Sequence, residues 1–123
     1  MKLTGTQTEK RYRQELEYSK RYLRESETGK NVLNFLVELL GEFKTAYVLT
    51  HTPEQGEDVF RVLVDAKKIV GFDLQHGESP RKAENVVKYS VKEYEKLIGN
   101  KEARLILAIA VDLSEENLSC NKD

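Results

Sequence analysis

Apolar and polar positions alternate along this chain with periods that change from segment to segment, and the changes predict its elements. Thr8 stands at a helix start, and Tyr12, Leu16 and Leu23 recur on one side of a helix running to about Glu25. The other sides interleave Lys or Arg with Glu, the pattern of a solvated surface. Ser26, Thr28 and Gly29 interrupt it, and a more apolar helix follows from about Lys30 to Leu40, with Gly41 suited to its C-cap. Thr45–Thr50, Val59–Val64 and Lys68–Gln75 are strand-length and rich in β-branched and aromatic residues. The connection at Asp65-Ala66-Lys67 is so short that the last two must form an antiparallel hairpin.

Beyond the hairpin, Ser79 fits an N-cap and Pro80 a first helical position, with Ala83, Val86, Val87, Ser90, Val91, Tyr94, Leu97 and Ile98 recurring at helical spacing before Gly99. Ala103–Val111 is apolar on both faces if extended, which predicts a central strand, reached through the helix and parallel to a strand of the meander. The resulting order of helix, helix, three antiparallel strands, helix and strand predicts an α/β chain of the α+β kind with a mixed four-stranded sheet. It forms one domain over residues 1–112, with 1–28 a helical extension, 29–112 the core and 113–123 a polar tail that frays.

At 123 residues, with 39% apolar and 33% charged positions, the chain is long enough to bury a core without disulfides. Its one cysteine, Cys120, can build neither a disulfide framework nor a cysteine zinc site, and it reads as incidental. The longest apolar run, Leu105–Val111, is far short of a membrane span, and a cytoplasmic protein with no membrane contact is expected. The net charge of −1 is uneven. Residues 112–123 carry four acids and one base, leaving +2 on the rest, which permits nucleic-acid contact without requiring it. No Gly-rich phosphate loop, Ser-His-Asp order or dinucleotide fingerprint occurs.

The candidate chemistry lies in carboxylates at positions where the pattern favours apolar residues. Asp73 interrupts Ile69-Val70-Gly71-Phe72-Asp73-Leu74-Gln75 and shares a strand face with Gln75. Asp58 opens the preceding strand after Gly56 and Glu57, and Glu38 is the only charge between Lys30 and Glu42. With these residues, the run from Gly56 to Gln75 resembles the hairpin of the PD-(D/E)XK nuclease superfamily, in which an acid opens the second strand and an acid-x-Lys ends the third. The resemblance implies a restriction-endonuclease-like core, Asp58 and Asp73 as metal-binding acids, Glu38 as a third, and Gln75 where the family carries its lysine. Lys82 or Lys88 would then supply the missing positive charge, and Asn85-Val86-Val87-Lys88-Tyr89 is similar to a Gln-x-x-x-Tyr motif of some members. An alternative frame takes Asp65-Ala66-Lys67 as the acid-x-Lys. The implied cofactor is Mg2+, held by oxygen ligands and polarising a water against a phosphodiester.

Each residue also has a plainer reading. Asp73 and Gln75 would guard an edge strand. Glu38 belongs to a solvated stripe with Asn31, Asn34 and Glu42. Asp58 would serve its turn. His51 and His76, without a third ligand, read as surface residues. Tyr18 and Tyr22, in line with Arg11 and Glu15 on the charged face of the first helix, suit either a protein interface, with a second copy or another partner, or rings lying on the surface. Three functions therefore stand side by side: a metal-dependent nuclease acting on nucleic acid, a non-catalytic module binding a protein partner, and a small-ligand sensor.

Overall fold

Ser26 ends one helix and begins the next. In the computed structural model, which describes residues 5–77 and 81–120, helix α1 spans Gln7–Glu25 and helix α2 spans Glu27–Leu40. The Ser26 N–H donates to the Tyr22 carbonyl at 2.9 Å, closing α1. Its hydroxyl donates to the same carbonyl and accepts from Gly29 N–H, both at 2.8 Å, opening α2. Gly29 fits because it lacks a side chain: a Cβ there would lie 2.2 Å from the Tyr22 carbonyl oxygen and 2.6 Å from the Leu23 Cα. The α1 cap is Thr6 rather than Thr8. Glu9 stands three residues after Thr6, and the two form a reciprocal capping box. Gly41 closes α2 at φ 81°, as its position predicts.

Four strands follow, β1 (Ala46–Glu54), β2 (Glu57–Val64), β3 (Lys68–Gln75) and β4 (Ala83–Ser90), antiparallel and in sequential order. The expected α+β class and meander are present. The last two expected elements are exchanged: the segment read as a helix from Pro80 to Ile98 is β4 followed by a short helix α3 (Val91–Leu97), and the segment read as a buried parallel strand is helix α4 (Lys101–Cys120). Ser79 and Pro80 lie outside the described residues.

Both exchanges have a physical reason. Val86, Val87 and Tyr89 favour strands, but β4 is an edge strand exposed along Glu84–Lys88, so burial writes no period of two onto it. The helical spacing that looked continuous belongs only to its end, where Val91, Tyr94 and Ile98 follow an Ser90–Glu93 capping box. In α4, Ala103, Ile106, Leu107, Ala110, Leu113 and Ser114 line one side at helical spacing. The Asn100 side chain caps its start by accepting from Glu102 and Ala103 N–H groups. Leu113 and Ser114 are buried within this helix, so residues expected to fray continue it to Cys120.

Helices cover both sheet faces. On one, Val32 and Leu36 of α2, with Leu23, pack on Phe60, Val62, Val70, Phe72 and Leu74. On the other, α3 and α4 pack Tyr94, Ile98, Leu107, Ile109 and Leu113 on Tyr47, Leu49, Leu63 and Ile69. α1 closes the β1 side, giving Tyr12 and Leu16 to one cluster and Leu23 to the other. Where the β1–β2 register shifts between Val48 and Thr50, the Val48 N–H donates to Ser19 Oγ at 3.1 Å. Each large side chain removed from water in these clusters contributes about 1.5–3 kcal/mol before entropy is counted.

The β2–β3 turn carries strain. Asp65 and Ala66 adopt φ of 52° and 58°, and the Lys67 N–H donates to the Val64 carbonyl, as in a type I′ turn. Asp65 offsets its cost by accepting from the Lys44 and Thr45 N–H groups, both at 2.8 Å, whereas Ala66 has a Cβ and no such bond. Replacing Ala66 with Gly is therefore expected to raise the unfolding free energy by about 1 kcal/mol, measured by chemical denaturation. Replacing Gly29 with Ala should do the opposite despite the better helix former, with a loss of roughly 2 kcal/mol, because the methyl meets backbone that cannot rotate away.

Candidate functional site

Every second residue of β2 from Asp58 to Val64 faces α2, and this alternation places Asp58 at the outer end of an otherwise apolar row. Asp58 is only 8% exposed. The α2-side rows of the other strands also carry polar residues near this end: His51 on β1, His76 just past β3, and Arg81 just before β4. All three converge on Asp58. His51 Nε2 lies 3.1 Å from its Oδ1, and His76 Nε2 (3.0 Å) and Arg81 Nη2 (2.5 Å) meet its Oδ2. Beneath them the His51 ring stacks on Phe60 at 4.2 Å between centroids and 14° between planes, and Tyr22 lies 6.3 Å from it.

Arg81 is occupied internally. Besides Asp58, its guanidinium donates to the carbonyls of Leu74 and Gln75 and to Thr28 Oγ1, and its backbone N–H donates to the Asn31 side chain. Burial pushes the Asp58 carboxyl upward, but the hydrogen bonds from Arg81, His51 and His76 and the Arg81 charge outweigh it and hold the group at about 2. At neutral pH it is a carboxylate and can only accept, so both imidazoles present Nε2–H to it.

The acids singled out in the sequence do not come together. Asp58 pairs with Leu74, and Asp73 pairs with Val59, so the two carboxylates leave opposite faces of the sheet. Gln75 shares the face of Asp73, as alternation requires. Glu38 is exposed on the outer side of α2, its solvated-stripe reading. Asp73 accepts instead from the Asn85 amide at 2.7 Å, and Glu57, directly across from Gln75, has its carboxyl raised by partial burial and by the neighbouring Asp73. Lys82 and Lys88 are exposed, and Asn85 stands on a strand rather than a helix. Asp65, the acid of the alternative acid-x-Lys frame, lies in the β2–β3 turn and accepts from the Lys44 and Thr45 N–H groups. Among the described residues no group of three His, Cys, Asp or Glu side chains is placed to hold a metal ion. In the Asp58 cluster Oδ2 is already shared by the Arg81 guanidinium and His76, and Oδ1 faces His51. Nor is any described helix long and apolar enough to cross a membrane.

His51, His76 and Arg81 were not singled out as a cluster in the sequence. For two of them the signal lay in parity: His76 and Arg81 stand two residues beyond the α2-facing Leu74 and Ala83, whereas His51 stands three residues after Val48 and reaches the same face only because the β1–β2 register shifts between Val48 and Thr50. A second feature adjoins the cluster. Tyr18, Ser19, Tyr22, Val48, Leu49, Thr50 and His51 line a groove of about 280 Å3 between α1 and the outer edge of β1, with Tyr18 65% exposed.

No protein-family model, curated protein or solved structure matches the chain.

The Asp58 cluster sets a pH dependence. The folded carboxyl lies below its ordinary value of 3.8, so its contribution is complete above about pH 4 and is lost as pH falls toward 2. Asp58→Asn should cost roughly 2–3 kcal/mol at pH 7, since Arg81 loses its counter-ion. The gap from wild type should shrink by about 2 kcal/mol between pH 4 and pH 2. Denaturation midpoints measured across that window check this, and a constant gap would contradict it.

Proposed function

We propose that this chain is a non-catalytic protein-binding module whose recognition surface is the groove between α1 and the β1 edge. The observation that carries this reading is Tyr18, held 65% exposed on an ordered helix beside an edge strand that has no strand partner among the described residues on its outer side. Tyrosine offers large contact area at small entropic cost and keeps its hydroxyl hydrogen-bonded in a wet interface. Tyr22 and His51, in ring contact, form the groove's end, and the Asp58 clasp holds His51 in place. The partner that suits this shape is an extended segment lying along β1 with one aliphatic or aromatic anchor between the tyrosines.

The metal-nuclease reading requires carboxylates converging on one cation. With Asp58 and Asp73 on opposite faces and Glu38 exposed, no observation favours it over the binding reading. Panning a displayed library of extended peptides on the protein is the test. Enriched sequences should share an apolar anchor and should bind the Tyr18→Ala, Tyr22→Ala double variant at least tenfold more weakly. Peptides that bind both proteins equally would overturn the assignment of the groove. Magnesium- or manganese-dependent cleavage of DNA that disappears in Asp73→Ala would overturn the non-catalytic reading.

A further inference from the structure

The opposite edge of the sheet is formed by β4, away from the α1–β1 groove. From Glu84 to Lys88, β4 is exposed on both faces, and Val86 and Val87, 38% and 42% exposed, point to opposite sides. The Gln75 N–H donates to the Lys82 carbonyl, so Gln75, Asp73, Gly71 and Ile69 direct their backbone groups toward β4. Their partners Val87 and Tyr89 face inward in turn, and alternation sends the N–H and C=O groups of Val86 and Lys88 outward. A bulge with Asn85 at φ 53° separates this stretch from Glu84 and confines the regular open edge to residues 86–88.

We propose that this edge pairs with the same edge of a second copy, antiparallel about a two-fold axis at Val87, joining the two sheets into one of eight strands. The occupant follows from self-complementarity. Centred on Val87, Val86 of one copy opposes Lys88 of the other on the α2-side face, and vice versa. Each such pair exchanges two backbone hydrogen bonds, and the two Val87 side chains meet on the other face. The Val86 methyls lie along the aliphatic stem of the opposing lysine. The neighbouring registers are worse. Centring on Lys88 sets lysine against lysine, and centring on Val86 opposes Lys88 to Glu84, whose side chain the bulge has turned to the other face. Gly71 belongs to the same arrangement: Val87 Cγ2 fills the space where a Gly71 Cβ would sit, 2.9 Å away, and this fixes the valine that would stand on the axis.

The test reads both association and register. Wild-type protein should show a concentration-dependent rise in mass by sedimentation, and Val87→Lys, which brings two like charges together on the axis, should remain monomeric while its circular dichroism matches wild type. In a Cys120→Ser background, Val87→Cys should form an intermolecular disulfide under mild oxidation, because directly opposed residues at a non-hydrogen-bonded site have the required spacing. Val86→Cys, opposed to Lys88, and Leu97→Cys, 62% exposed elsewhere, should crosslink at least tenfold more slowly. A wild type that stays monomeric up to millimolar concentration would overturn the proposal. So would a dimer unaffected by Val87→Lys, or equal crosslinking at all three cysteines.

Discussion

The Asp58 carboxylate is the fixed point on which the outer half of the sheet depends. A charge this far from water must be paired, and its partners come from the three other strand rows: His51, His76 and Arg81. Arg81 is the critical one because it enters from the far side of the β3–β4 connection. By holding Asp58, two β3-end carbonyls and Thr28 at once, the guanidinium brings the chain back beside β3 and against the first turn of α2. β4 buries little of its own, so this clasp and the Gly71–Val87 fit stand in for the helix cover that places the inner strands. Lysine could not replace arginine there, since only the planar fork spans those acceptors together.

The two edges of the sheet are managed differently. α1 packs beside β1, and its Ser19 answers the outward Val48 N–H at the place where the register shifts, so that N–H is not free to pair with another strand. Pro53, which has no N–H to offer, sits near the far end of the same strand. β4 has no further strand beside it among the described residues and carries a bulge at Asn85, which interrupts the edge without closing it. Three residues of open ladder are too few for indiscriminate aggregation, yet their order is compatible with one self-pairing register. A partner segment has the opposite choice, since side chains around β1 offer rings and a groove while β4 offers mainly backbone.

The sequence made the meander legible because its inner strands alternate against covered faces and its turns are short. Lys68–Gln75 has the bounds its pattern predicts. α1 and α2 were legible from their stripes, with only their first residues displaced by capping bonds that Glu9 and Ser26 decide. The exchange of β4 and α4 marks where periodicity stops being informative. A strand without cover has no reason to alternate, and an apolar run such as Ala103–Val111 fits a helix or a strand until its length and its Asn100 cap are weighed. Gly71 within an apolar strand was a usable sign of a close neighbour on the next strand. The candidate site was half legible: Asp58 stood out, but its partners lie seven, eighteen and twenty-three residues away, and only the register brings them to it.

That same register decides what the acids can do. On adjacent antiparallel strands, residues directly opposed share a face, and a shift of one residue sends them apart. Asp73 is opposed to Val59, not Asp58, and that offset of one converts a potential pair of metal ligands into two unrelated groups. On the α2 side, Asp58 has its charge met by a guanidinium and two imidazole N–H groups, which together satisfy both oxygens. Across the sheet, Asp73 has a side-chain amide for a partner and Glu57 for a neighbour whose carboxyl pKa it helps raise. Neither carboxylate needs a cation to be tolerated where it stands. Apolar surface is instead left exposed at the Tyr18 ring and at Val86 and Val87 of β4.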